Sequence, residues 1–221
     1  MLVALGAIMA VSGPFQLKMS TTRGDYFVLT DAPTLSVDPR ACEYFLEEIE
    51  KKLGVRVPRY TYYRVRTTQD VAVFTLEYAD GVARWRSGEV WSVEPCHRHE
   101  MVHLASHRLG HPGRFWDEGL AMALDNRLNE RRGRRLARHM GPAFGATVAV
   151  FSWWVGGVLQ DGERMNSYEM AGAFVRHLIR QYNMQKIVEY FRACHVSDED
   201  SSVFHRVFVR TIQEEAERWL R

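Results

Sequence analysis

The chain has little cysteine and almost no net charge. Three cysteines, Cys42, Cys96 and Cys194, occur in 221 residues, and an odd number leaves at least one thiol unpaired within a monomer. The formal net charge is +2, so no bulk electrostatics demand a nucleic-acid partner. Internal repeats, low-complexity tracts and recognisable linkers are missing as well. That leaves one domain, with room for two lobes. The apolar run Leu2 to Val11 is too short to span a bilayer, so the mature chain is expected to carry no stable membrane span.

That run has the length of an export signal. It ends in Ala10-Val11-Ser12, with Gly13 and Pro14 beyond, although no Lys or Arg precedes it. Residues 1–12 are therefore expected to direct export, with cleavage near Ser12–Gly13. The mature chain is then secreted or periplasmic; a cytoplasmic location is the other reading. The one basic run, Arg131, Arg132, Arg134, Arg135 and Arg138 around Glu130, reads as a solvated helix face.

What the chain does have is H-E-x-x-H, at His99-Glu100-Met101-Val102-His103. Residues four apart on a helix lie one turn apart on one face. His99 and His103 can thus point at one metal ion, with Glu100 placed to act as base on a water. The flanks Met101, Val102, Leu104 and Ala105 suit a half-buried helix. Gly110 and Pro112 give a stop signal after it.

A catalytic zinc needs a third protein ligand. Ser106 and Leu109 stand where a metzincin needs Gly and His, which excludes that class. His107 keeps the four-residue spacing but has turned about 80° from His99, at about 100° per residue. It is expected beside the site or in solvent, and His111 in a loop. Glu118, in Trp116-Asp117-Glu118-Gly119-Leu120-Ala121, is the best candidate. It opens a second amphipathic helix with Leu120, Ala121, Leu124 and Leu128 as the apolar face.

The pairing of H-E-M-V-H with W-D-E-G-L-A resembles the gluzincin zinc metallopeptidases, more closely the peptidase MA-like group. A second block, Ser167 to Leu178, followed by Lys186-Ile187 and Trp219, is similar to it too. The resemblance implies one Zn²⁺ per chain on His99, His103 and Glu118, with Glu100 as general base, and a peptide or protein substrate. It implies an α+β, zincin-like fold over residues 13–221. An α/β lobe with a small mixed sheet covers about 25–110. The active-site helix and a helical lobe of about 111–221 follow. Met122 stands where a thermolysin-type enzyme has an Asp, so the partner that would orient a ligand imidazole is not identified by the resemblance; Asp117 and Asp125 are candidates, each also readable as a solvated helix residue. Tyr168 is the candidate oxyanion donor, with His177 and His205 as alternatives. No G-x-M-E-N exopeptidase motif is present, which favours an endopeptidase.

The other elements follow from local signals. Asp25 to Thr30 reads as a strand. Asp38-Pro39 caps a helix with Cys42, Phe45, Leu46, Ile49 and Leu53 inward and Gly54 as its stop. If the chain is exported, a Cys42–Cys96 disulfide would tie that helix to the metal helix. Val57 to Arg66 is β-rich, Val71 to Tyr78 is ambiguous, and short strands fall near Val82–Trp85 and Val90–Val93. Trp153 and Trp154 read as core, or as a cleft wall. Tyr168 to Tyr182 reads as a helix that Asn183 closes. Helices near Gln185–Ala193 and Val203–Arg221 complete the chain. Two rival functions stand beside hydrolysis. One is a catalytically inactive zinc-binding scaffold. The other is a di-iron protein, which needs a second E-x-x-H; the only one, Glu94 to His97, contains Pro95.

Overall fold

A computed structural model of the protein describes residues 14–125, 127–141, 143–145, 148, 161–194 and 200–221. Its strands are β1 Phe15–Ser20, β2 Gly24–Leu29, β3 Tyr60–Arg64, β4 Gly81–Arg84 and β5 Glu89–Ser92. They form one mixed sheet in the order β1-β2-β3-β5-β4. β2, β3 and β5 run parallel, while β1 and β4 pair antiparallel at the two edges. Parallel neighbours need crossovers. Helix α1, Pro39–Leu53, carries the chain from β2 to β3, and helix α2, Thr68–Thr75, begins the passage from β3 to β5.

The pleat sends alternate residues to opposite faces. Tyr26, Tyr60, Tyr62 and Val90 enter the main core, which α1 covers with Cys42, Phe45, Leu46, Ile49 and Leu53. Val82 and Trp91 enter a smaller cluster with Leu29, Val65 and Val71 on the other face. Helix α3, Arg98–Ser106, packs against α1 and against β4.

The start of α3 is tied down three times. The Tyr62 hydroxyl donates to the Glu94 carbonyl at 2.8 Å and accepts from the His97 N–H at 2.9 Å. The Asp38 N–H donates to the Pro95 carbonyl at 3.0 Å. Cys42 is disulfide-bonded to Cys96, with Cα atoms 5.4 Å apart. Sheet, α1 and α3 are thereby fixed to one another at one point.

The helical lobe comprises α4 Arg114–Leu124, α5 Glu130–Met140, α6 Asp161–Tyr182, α7 Met184–Ala193, α8 Asp200–Phe208 and α9 Ile212–Leu220. The helix α6 packs on α4, α5 and α7. Gly119 lets α4 approach it: a Cβ there would lie 2.7 Å from Val175 Cγ2 and 3.0 Å from the Ala171 carbonyl oxygen. That approach seats Trp116 among Phe174, Tyr190 and Phe204. Among the described residues no helix is long and apolar enough to cross a membrane.

Several boundaries differ from the sequence reading. The strand β1 precedes the first one expected. The ambiguous segment after Thr67 is a helix, started by a Thr67–Asp70 capping box. α3 ends at Ser106, and i→i+3 turns carry the chain to Leu109 before Gly110. Glu118 lies in the second turn of α4 rather than at its opening, and Leu128 falls beyond its end. Asn183 closes α6 as expected, its N–H donating to the Ile179 carbonyl at 2.9 Å, but with φ 73° and ψ 169° rather than in the left-handed helical region, and its side chain also caps α7. The single last helix is two, because Thr211 and Glu214 form a new capping box after Val209 turns to φ 59°. The Ser12–Gly13 cleavage position, Trp153 and Trp154 lie outside the described residues.

Closing a loop across 54 residues restricts the unfolded chain, and such a bridge contributes about 2–4 kcal/mol. Cys96→Ser is expected to lower the unfolding free energy obtained from urea titration by that margin. Ellman titration of the unfolded, unreduced protein is expected to find one thiol, Cys194; three would contradict the pairing.

Candidate metal centre

Helix geometry brings the two histidines of α3 together as their spacing requires. The rings of His99 and His103 have centroids 4.8 Å apart, and their Nε2 atoms are 3.1 Å apart. α4 crosses this face and adds Glu118, whose Oε2 lies 3.0 Å from His99 Nε2 and 3.4 Å from His103 Nε2. Ligands about 2.0–2.1 Å from a tetrahedral ion are about 3.3–3.4 Å from each other. The three donor atoms therefore form one face of a tetrahedron around a point that each can reach.

Electrostatics explain what this cluster needs. Burial raises the Glu118 carboxyl, but the His103 and His99 imidazoles outweigh it and hold it well below the usual carboxylate range. Burial lowers His99, yet the nearby Asp125, Glu118 and Glu100 carboxylates push it up to about 10. His103 is raised as well, because the Glu118 charge overcomes its burial. Two nitrogens and an oxygen this close cannot all present lone pairs to one another. Protons or a cation must lie among them. Two imidazoles and one carboxylate are donors that suit Zn²⁺.

Of the two aspartates, Asp125 is the one against a histidine of this cluster. Its Oδ2 lies 3.7 Å from His99 Nδ1, and it accepts the Arg127 N–H at 2.9 Å. Asp125 is 3% exposed, so its charge acts on His99 with little screening. Asp117 instead lies 2.6 Å from His111 Nδ1.

Glu100 is buried beside this cluster, and that burial raises its carboxyl above the usual range. β4 closes over it. A Cβ on Gly81 would stand 2.7 Å from Glu100 Cγ and 2.7 Å from His97 Cδ2, so only glycine lets the strand come this close. His97 is itself buried, and that burial pushes it down to about 3, which keeps it neutral next to the cluster.

Tyr168 borders the site from α6, its ring centroid 6.4 Å from that of His99. Its hydroxyl accepts a bond from Arg114 Nη2 at 3.1 Å, and Arg114 Nε lies 3.6 Å from Glu118 Oε1. The alternative donors are placed elsewhere. His177 Nε2 is 2.9 Å from Glu215 Oε1, and His205 is exposed on α8. Arg114 went unnoticed in the sequence, and His97 was weighed only as part of a second E-x-x-H. Arg114 had a weak signal, four residues before Glu118 on the same helix face; nothing in the sequence placed His97 beside the cluster. No family model, curated protein or solved structure matches this chain.

The raised histidines set the sign of a pH effect. A metal ion must displace protons from His99 and His103, so binding releases protons and strengthens as pH rises. Zinc titration of the metal-stripped protein in weakly buffered solution is expected to acidify it, with tighter binding at pH 8 than at pH 6. Binding independent of pH would contradict the assigned ligands.

Loss of His103 or Glu118 removes one corner of the face. His103→Ala and Glu118→Ala are each expected to weaken zinc binding by at least about 100-fold, since even outer-shell changes cost 10- to 100-fold. Asp125→Asn is expected to fall within that smaller range. Calorimetric titration checks all three, and full affinity in Glu118→Ala would remove it from the ligand set.

Proposed function

We propose that the protein is a zinc-dependent peptidase, zincin-like in fold and gluzincin-like in its ligands, that hydrolyses internal peptide bonds. The single observation that carries this reading is the tetrahedral face formed by His99, His103 and Glu118 with a buried carboxylate, Glu100, beside it. Three protein ligands leave a fourth position open, which is the pattern of catalytic rather than structural zinc. Bound there, zinc supplies Lewis acidity that acidifies water to a pKa of about 7 and polarises a carbonyl.

The residues of the chain do the remaining work. Glu100 accepts a proton from the attacking water and returns it to the leaving amine. Its raised pKa suits that exchange, because a base poised nearer neutrality gives the proton up as readily as it takes it. Tyr168 donates toward the oxyanion of the attacked carbonyl, and the charge of Arg114 on its oxygen makes it a stronger donor. Asp125 holds the His99 ring in place. β4 is the sheet's edge and leans on Glu100, so an extended substrate adding to that edge would pass the site. The Cys42–Cys96 disulfide favours an oxidising compartment, in line with an exported, secreted or periplasmic protein.

Two substitutions separate these roles. Glu100→Gln is expected to keep zinc and lose cleavage of a diverse peptide library by at least about 10²-fold. Tyr168→Phe deletes one hydroxyl and is expected to lower kcat by about 10²–10³ with KM little changed. Zinc loss in Glu100→Gln would place that residue among the ligands instead. A zinc-loaded native protein that cleaves no peptide in the library would favour the inactive scaffold.

A further inference from the structure

The histidine ladder of α3 does not end at His103. His107 and His111 continue it at the same four-residue interval, the first capping α3 and the second in the loop before α4. Asp117, next to Glu118 on α4, completes a second group. One ligand atom from each of His107, His111 and Asp117 lies within 4.8 Å of the others. Adjacent residues on a helix point about 100° apart, so Asp117 and Glu118 direct their carboxylates to different neighbours. Glu118 meets His99 and His103; Asp117 meets His111.

The carboxylate of Asp117 is the informative member. The residue is 3% exposed, and neither of its oxygens makes a hydrogen bond. A buried carboxylate without hydrogen bonds is costly, and buried charges are retained where they are paired or coordinate a metal. Its close neighbour is an imidazole nitrogen, His111 Nδ1 at 2.6 Å. His107 is oriented toward the same place. Its ring stacks flat on Trp85, with centroids 5.5 Å apart and planes 3° apart. It also stacks on His111 at 5.1 Å. His111 is 40% exposed, so solvent leaves room for the small rotation that brings three donors to one ion.

We propose that His107, His111 and Asp117 form a second zinc site, separate from the one on His99, His103 and Glu118. Two imidazoles and a carboxylate are a donor set for Zn²⁺ and its divalent neighbours. An ion held there clasps the end of α3 to the first turn of α4 and so fixes the crossing that brings Glu118 to its histidines. The site does not rest on the peptidase reading.

The test is zinc stoichiometry on the full chain. Protein stripped with chelator is reloaded with Zn²⁺, freed of unbound ion by gel filtration and assayed by atomic emission. The native protein is expected to hold two zinc ions, His111→Ala and His107→Ala one each, His103→Ala one, and His103→Ala/His111→Ala none. Zinc should still raise the melting temperature of His103→Ala but not of the double variant. Circular dichroism checks that each variant is folded, and the half-exposed positions of His107 and His111 make both tolerable changes. One zinc in the native protein, lost in His103→Ala and kept in His111→Ala, would overturn this second site and leave the first intact. One zinc lost in His111→Ala and kept in His103→Ala would uphold this site and defeat the peptidase reading. Two zinc ions retained by both His107→Ala and His111→Ala would overturn the assignment of these ligands.

Discussion

Two buried imidazoles and a buried carboxylate meet within 3.4 Å of one another. Such a cluster persists only with positive charge among its members, supplied by protons or by a metal ion. Much of the structure serves to hold this meeting. Tyr62, the Asp38 N–H and the Cys42–Cys96 bridge fix where α3 begins. Gly119 sets how closely α4 lies on α6 and so where Glu118 comes to rest. Asp125 and Arg114 then adjust charge around two of the cluster's three members, His99 and Glu118.

Much of this was readable in the sequence because it depends on local rules. His99 and His103 are four residues apart on one helix, and a spacing fixes that relation without any tertiary knowledge. Asp38-Pro39 and Gly54 bounded α1 through capping chemistry, and both ends stand where expected. Glu118 was the harder inference. It required two helices to cross, and the sequence offered only an amphipathic pattern and a small residue next to it. The Cys42–Cys96 pair was in the same position, since nothing local brings those residues together.

What stayed unread depends on the crossing itself. Asp117 and Asp125 lie on the same helix and its cap, and no periodicity says which one faces His99. The answer follows from the tilt of α4 across α3, which the packing of Trp116 and Gly119 decides. His97 looked like a residue before the helix, yet the edge strand folds back over it and buries it. The strand β1 and the break at Val209 were missed for a different reason. β1 has five of its six residues exposed and shows little hydrophobic alternation, and the break interrupts a stretch whose apolar residues read as one helix.

Anomalous diffraction from crystals of the zinc-loaded protein, recorded on both sides of the zinc absorption edge, tests the central claim most directly. The account predicts an ion bonded to His99 Nε2, His103 Nε2 and a Glu118 carboxylate oxygen at about 2.0–2.2 Å, with a water in the remaining position and Glu100 beside that water but off the metal. Zinc absent from this point, or bound there with Glu118 turned away or Glu100 as a ligand, would contradict it.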